Sequence, residues 1–596
     1  MTATGKYLRI AFAIAVIAAL IIVPMNFNRY GLYILSQWAV MTIAAMGLNL
    51  TLGYAGQVSL AQGAFVGIGA YAAAIMTTQG GMPLIAALGV AIILCFAIGW
   101  ILGYPALRVQ HHYLAFVTLA FATLAYLVMR NEEWITGGIY GISNIPRPSL
   151  FGYALRTPRN FYYFCLANLA LVSAAAWWLI RSPWGRAFVA LRENEPLAES
   201  VGIDPTRTLV AAAVLSAAVA GVAGSLYAHY TRFVSPEVFL FSYTVTMVIM
   251  VVAGGKGTLL GPVVGAVLFT ALPEVLREAM AWQWQMLAYG LLLVLLVFFL
   301  PRGIVPTITA WRRSVGGRFD GPLRGLPEEE LARQSRRPNG ANASLIVEDL
   351  AVAFGGVAAL GGVSFEVRPG AITSLIGPNG AGKTTAFNAI TGYLRPRRGR
   401  VTWDSVSLAG HRPCEIAQRG IVRTFQKTSV FPALSVRDNV MVGLHLRGGA
   451  RLPAILGGRR TVREEEAHLA AEAESVMTFV GLGHRRDEAA SALPYGEQRL
   501  VELAVALAAR PRLLLLDEPG AGMTGGEKER LIELIRRLRD DGLTVLLVEH
   551  DMRLVMGISD TVIVLNHGRV IAEGAPAAIQ AHPDVIRAYL GASARA

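Results

Sequence analysis

Charge is the feature that most constrains this chain. Residues 1–300 carry 24 Lys, Arg, Asp and Glu, whereas the rest of the chain carries 69. Between the sparse charges of the first half lie long apolar runs, at roughly 8–25, 31–51, 57–78, 82–104, 112–130, 160–180, 208–230, 239–254, 257–276 and 285–301. A helix of about 20 apolar residues spans a bilayer, and in hydrocarbon only helices and closed barrels satisfy their own backbone. The expected fold is therefore multidomain. An all-α polytopic membrane domain of about ten helices (1–301) is followed by a basic linker (302–343) and a soluble domain (344–596).

One stretch breaks the apolar pattern. RENEPLAESVGIDPTR (192–207) places six charges between two membrane runs. At roughly 2.5–3.5 kcal/mol per charge at the bilayer centre, it must lie outside the membrane. Its middle, EPLAESVG, reads as a short helix bounded by Pro and Gly. Small residues crowd two of the runs, in LGYAGQVSLAQGAFVGIGAYAAA (52–74) and VVAGGKGTLLGPVVGAV (251–267), so these runs either re-enter or break. Small-xxx-small spacing favours close helix packing. Gln57, Ser59 and Gln62 in the first of them leave a second reading open, a polar translocation path with exposed backbone where the helices break.

The net charge of +13 does not point to nucleic acid, because the excess is spread over both halves and no aromatic-interleaved basic face stands out. The densest basic stretch is 302–337, where Arg302, Arg312, Arg313, Arg318, Arg324, Arg333, Arg336 and Arg337 face only Asp320 and Glu328–Glu330. Such a segment is expected against anionic lipid headgroups on the cytoplasmic leaflet. Cys95, Cys165 and Cys414 are scattered without metal or disulfide spacing. The N-terminal run lacks a small-residue cleavage site and is followed by more apolar runs, so it reads as the first membrane helix.

The chemistry lies in the soluble half. The strand-like AITSLI is followed at once by GPNGAGKTT, in which Gly377, Pro378, Asn379, Gly380, Ala381, Gly382, Lys383, Thr384 and Thr385 form a phosphate loop opening a helix. Its backbone N–H groups wrap the phosphates of ATP, Lys383 reaches the β- and γ-oxygens, and Thr384 holds Mg²⁺. LLLLDEP is a buried strand delivering Asp517 to the Mg²⁺ shell and Glu518 to the attacking water. TVLLVEHDM repeats the design and ends at His550, suited to a γ-phosphate. Gln426, after VRTF, is placed to orient water or Mg²⁺.

These parts in this order resemble the ATPase of ABC transporters over residues 345–596. The resemblance implies that Phe354 stacks on adenine, that Gln426 and His550 are the Q-loop and switch residues, and that Leu493, Pro494, Tyr495, Gly496, Glu497 and Gln498 form the signature read by the opposite subunit's ATP. Pro494 and Tyr495 depart from the general LSGGQ form, and GAGMT (520–524) lacks the usual D-loop Asp, which leaves open how strongly this half-site contributes to hydrolysis. Pro is expected to sit comfortably in the first turn of the following helix.

VRTFQKTSVFPALSVRDNVMVGLH and the C-terminal HPDVIRAYLG are similar to the first ATPase of branched-chain amino acid importers. YLAFVTLAFATLAYLVMRNEEWITGGIYGISNIP and SPWGRAFVALRENEPLAESVGIDPTR are similar to the second permease of the same system. The resemblance implies a fused subunit in the bacterial inner membrane, with its ATPase in the cytoplasm. It also implies a second permease, a second ATPase (or a second copy of this chain) and a periplasmic substrate-binding protein as partners. By parity of ten crossings, 181–207, Arg108 and Lys256 then face the cytoplasm and 131–159 is the longest external loop. The charged stretch becomes the coupling helix, with Glu193, Glu195 and Glu199 as its contacts to an ATPase. Related permeases serve urea, short amides or aromatic acids. An exporter half-transporter is the rival architecture, but exporters carry six long helices reaching far into the cytoplasm; a membrane-tethered ATPase that transports nothing is the other rival.

Overall fold

A helix buries its own peptide groups, so the apolar runs of the first half should be helical whatever their partners; among the described residues they are, apart from breaks in the two Gly-rich runs. The computed structural model describes residues 18–106, 111–150, 153–155, 157–279, 282–315, 343–450, 452–457 and 459–593, with 11 and 15 singly. Within these, helices occupy Arg29–Leu48, Gln62–Thr78, Leu84–Ala106, His111–Asn131, Pro158–Ile180, Pro205–Thr231, Phe241–Gly254, Gly261–Ala279 and Trp282–Phe299. The run at 8–25 lies largely outside the described residues, as do Arg108 and most of the linker. Among the described residues, five helices are long and apolar enough to cross a membrane: Arg29–Tyr54, Leu84–Pro105, Tyr113–Asn131, Pro158–Ile180 and Pro205–Thr231. Gln62–Thr78, at 17 residues, falls short of the ~20 that an untilted crossing takes.

The two Gly-rich runs are broken helices. Arg29–Leu48 unwinds into a π-helix at Asn49–Tyr54, and the chain is irregular until Gln62. A second break, Gly255–Leu260, separates Phe241–Gly254 from Gly261–Ala279. The breaks are tied to each other, since Asn49 donates to the Thr258 carbonyl (2.9 Å) and accepts from the Gly257 N–H (2.9 Å). These bonds satisfy backbone that unwinding exposes. Elsewhere the small residues pack: a Cβ on Gly224 would lie 2.0 Å from the Val66 carbonyl oxygen, so two helices touch backbone to backbone there. Outward-facing Ile93, Phe116, Leu171 and Phe298 are each at least two-thirds exposed, a belt suited to lipid rather than water.

The chain divides into two compact units, one holding Met1–Arg192 with Thr206–Gly321, the other Glu193–Pro205 with Pro322–Ala596. The charged stretch thus belongs with the second unit, although Pro205–Thr231, long and apolar enough to cross a membrane, follows it directly and the short helix Pro183–Glu193 links it to Pro158–Ile180. The soluble unit is α/β. Its six-stranded sheet has the order Arg569–Gly574, Thr561–Asn566, Ile372–Ile376, Thr544–Val548, Leu513–Asp517, Ile421–Arg423. All neighbouring pairs are parallel except the first. Every residue of the three central strands is buried, which is why they read as unbroken apolar runs. Leu513 to Leu516 alone contribute roughly 1.5–3 kcal/mol each by burial. An antiparallel sheet, Val357–Val367, Leu345–Phe354, Arg398–Trp403, Val406–Ser407, completes the unit.

Candidate functional site

In an open parallel sheet the loops leaving the carboxyl ends of the strands share one edge. Here those ends deliver Gly377, Asp517 and the residues after Val548 side by side. Gly377 has φ +153°, and a Cβ there would sit 2.1 Å from the Leu565 carbonyl oxygen. Gly382, at φ +102°, ends the loop as the N-cap of helix Lys383–Ile390. Between them Pro378, Asn379, Gly380 and Ala381 turn the chain, closed by a 3.1 Å bond from the Ala381 N–H to the Pro378 carbonyl. Lys383 curls back across this cradle and donates to the carbonyls of Gly377 (2.6 Å) and Pro378 (3.1 Å). Burial holds its ammonium below the usual range, with Glu518 and Asp517 opposing. Thr384 is exposed and Thr385 half-buried in the first helical turn.

Asp517 ends its strand with a side chain 1% exposed. One carboxylate oxygen accepts from Arg423 (3.2 Å), while the other is buried with no hydrogen-bond partner among the described residues. Burial raises its carboxyl above the usual range, against the attraction of Arg423. Glu518 adopts φ +48°, a left-handed conformation rare for a non-glycine residue and typical of functional sites. Its N–H donates to the Val548 carbonyl at 2.8 Å. His550 Nδ1 stands 3.7 Å from the carboxylates of both Glu518 and Glu549, on a side chain 64% exposed. Gln426 is exposed just past the edge strand, its carbonyl held by Arg499. Phe354 is exposed at the end of its strand in the antiparallel sheet.

Leu493–Gln498 opens the helix Tyr495–Ala508. Pro494 is the N-cap rather than a first-turn residue, with φ −57° and ψ 154°, so the expected position is corrected by one residue. Its carbonyl still accepts the first helical bond, from Gln498 at 3.0 Å. Gln498 also reaches the Leu493 carbonyl (2.9 Å), and Glu497 pairs with Arg485 (3.1 Å). A Cβ on Gly496 would meet Glu527 Oε1 at 2.2 Å. The two departures from the general motif fit each other. The Tyr495 ring lies against Gly522 of GAGMT, so close that a Cβ there would sit 2.7 Å from its Cε1. Arg499 stacks on the same ring at 5.6 Å.

The charged stretch packs into the same unit. Asn194 caps helix Glu195–Ser200, accepting from the Leu197 N–H at 3.1 Å. Leu197, Ala198, Val201 and Ile203 are fully buried. The Tyr393 hydroxyl donates to the Pro196 carbonyl (2.6 Å), and Arg412 forks onto both oxygens of Asp204 (3.1 and 3.0 Å). Glu199 is packed so that burial, then repulsion from Glu195, raises its carboxyl to about 7 against the pull of Arg412. Sequence reasoning named Glu193, Glu195 and Glu199 and passed over Asp204, Tyr393 and Arg412. No spacing rule could pair Asp204 with a residue 208 positions away.

In the membrane unit, Gln62 is a packing bond. It donates to the Ala44 carbonyl (2.9 Å) and accepts from Ser216 (3.0 Å), joining three helices. Gln57 differs. It is 4% exposed, its amide nitrogen has no hydrogen-bond partner among the described residues, and with Ser59, Gln62, Thr118 and Ser216 it lines a cavity of about 40 Å³ walled by Phe65, Leu102 and Leu114.

Residues 30–300 match the family described as branched-chain amino acid transport system permease component. Residues 360–521 match ABC transporter and 569–595 match branched-chain amino acid ATP-binding cassette transporter. The high-affinity branched-chain amino acid transport ATP-binding protein LivG of Salmonella typhimurium is 43% identical over 41% of this chain and 97% of its own length. The permease protein LivM of the same organism is 35% identical over 52% of this chain and 78% of its own. A nucleotide-free ATP-binding cassette from an ABC transporter, solved as a crystal structure, is 32% identical over 41% of this chain and 98% of its own, at a TM-score of 0.37. With both matches in one polypeptide, the chain belongs to the branched-chain amino acid ABC transport family, as an integral membrane permease carrying its own ABC ATPase.

Proposed function

We propose that this chain supplies one permease and one ATPase to an ATP-driven importer of branched-chain and other hydrophobic amino acids. The observation that carries the reading is the charged segment. A stretch lying in the chain between the membrane helices Pro158–Ile180 and Pro205–Thr231 is clamped into the ATPase unit by Tyr393 and Arg412, as transport coupled to ATP hydrolysis requires. The remaining subunits are a second permease and a second ATPase, or a second copy, with a periplasmic binding protein delivering substrate. The ATPase faces the cytoplasm and the basic stretch after the last helix meets anionic lipid.

In the ATP site, Lys383 exchanges its two loop carbonyls for β- and γ-phosphate oxygens, and the N–H groups of Gly377–Thr385 wrap the phosphates. Phe354 stacks on the adenine. The unpartnered oxygen of Asp517 fits a hard cation, and Thr384 and Gln426 would complete the protein's share of a Mg²⁺ site. When bound, Mg²⁺ neutralises charge on the β- and γ-phosphates. Glu518 polarises the attacking water, and His550, hinged beside it, contacts the γ-phosphate. Leu493–Gln498 present a helix N-terminus to the second ATPase's nucleotide. Gln57 and its cavity form part of the translocation path.

Uptake of labelled leucine by cells with the whole subunit set tests this, comparing wild type with Lys383→Ala and Glu518→Gln. Loss in both at normal membrane levels is expected. No wild-type accumulation refutes the substrate, with labelled urea and benzoate next; uptake surviving both substitutions refutes ATP drive by this chain.

A further inference from the structure

Arg423 ends the edge strand Ile421–Arg423 with a side chain 3% exposed. Burying a guanidinium so deeply demands that its donors be used and its charge be met. Nη2 meets Asp517 Oδ2 at 3.2 Å, Nη1 meets Asn388 Oδ1 (2.6 Å) and Thr391 Oγ1 (3.1 Å), and Nε meets the Thr424 carbonyl (3.4 Å). Aromatic rings pack against it as well. The rings of Phe425 and Tyr393 lie 4.8 and 5.5 Å from its central carbon, and those two rings meet edge to face at 5.9 Å. Tyr393 is the residue whose hydroxyl holds Pro196 of the charged segment at 2.6 Å. Two side chains therefore bridge the segment and the Asp517 carboxylate.

We propose that Tyr393 and Arg423 are positioning residues that tie segment 193–205 to the aim of the Asp517 carboxylate. The reading rests on Asp517 being the cation-side carboxylate of the ATP site. Arg423 fixes one oxygen of Asp517 and so directs the other. Tyr393 packs against the guanidinium beside Phe425, so displacing Pro196 shifts a ring that holds Arg423 in place. Buried, close-packed groups of this kind have few intermediate arrangements, and coupling between the two ends is reciprocal.

Two measurements on the full-length chain in nanodiscs test it. The first needs neither nucleotide nor metal: hydrogen–deuterium exchange of the amides of 197–203 in wild type, Asp517→Asn and Arg423→Lys. Asp517→Asn keeps the side chain's shape but removes the charge at the far end of the bridge. Exchange at least two-fold faster in both variants is expected; wild-type exchange in Asp517→Asn overturns the proposal. The second is the Mg²⁺ concentration at half-maximal ATP hydrolysis. Tyr393→Phe, which removes only the hydroxyl bond, is expected to raise it two- to three-fold and Arg423→Lys about ten-fold, with the double variant no worse than Arg423→Lys. No shift in Tyr393→Phe, or effects that multiply in the double variant, overturns the proposal. Tyr393→Phe keeps the ring and so keeps the test clear of misfolding. Neither arm involves transported substrate, so failure here leaves the importer reading standing.

Discussion

Replacing Glu199 by Gln should make docking of the charged segment indifferent to pH. The carboxyl is packed beside Glu195 and Asp204, with the cation Arg412 opposing them and Tyr393 alongside. Held at about 7 rather than 4.5, it takes up a proton when the segment docks. A group raised in this way stabilises the docked state fully below 4.5 and loses that contribution as pH rises through about 7. The full difference is about 3 kcal/mol, and screening of a side chain still partly open to solvent reduces it to about 1–2 kcal/mol. Amide exchange of 197–203, normalised to the intrinsic rate at each pH, reads it directly. In wild type, protection should fall about 5- to 30-fold between about pH 4 and pH 8; in Glu199→Gln it should stay flat and match the low-pH value. Equal falls in the two proteins would refute the assignment of this carboxyl as the titrating group.

Further outcomes follow from two close backbone approaches and from the Gln57 cavity. Gly224→Ala pushes a methyl to 2.0 Å from the Val66 carbonyl, so the two helices must part; a loss of about 1–3 kcal/mol should show as a lower melting temperature in detergent. Gly522→Ala combines φ +74° with overlap on Tyr495, costing about 1–2 kcal/mol. Adding Tyr495→Ala should recover the overlap share but not the backbone share in denaturant melts. Gln57→Leu should cut leucine uptake at least five-fold with normal amounts of chain in the membrane. Gln62→Leu, which severs a three-helix bond, should instead reduce the amount of folded chain.

The meeting of Gly377, Asp517 and the residues after Val548 at one sheet edge was legible because strand, loop and helix follow one another within a few residues. Apolar runs ending at Gly377, Asp517 and His550 announce a parallel sheet whose carboxyl edge collects phosphate chemistry. The membrane helices were legible for a similar reason, since hydrocarbon leaves one way to satisfy a peptide group. What escaped was set by long-range packing. Arg423 reads as an ordinary polar residue after Val422, and its burial against Asp517 follows only from strand order. Arg412 reads as a surface cation until Asp204 arrives from another region of the chain. The π-helix at Asn49–Tyr54 has no periodicity of its own; it exists because Asn49 finds Thr258 and Gly257. Tyr495 looked like a defect in a motif, and only its contact with Gly522 shows that two departures make one fitted surface.

The division of the chain at Arg192/Glu193 and Pro205/Thr206 bears on supply as well as on mechanics. When permease and ATPase are separate products, the cell must match their output, and an unpartnered ATPase can hydrolyse ATP to no purpose. Here the docking peptide and its receptor are translated from one message in fixed one-to-one ratio, and each finds the other by intramolecular search. Partner choice at this joint is therefore biased by covalent connection. A free ATPase could take the place of a damaged Tyr393–Arg412 receptor only by outcompeting the chain's own domain at its high effective concentration.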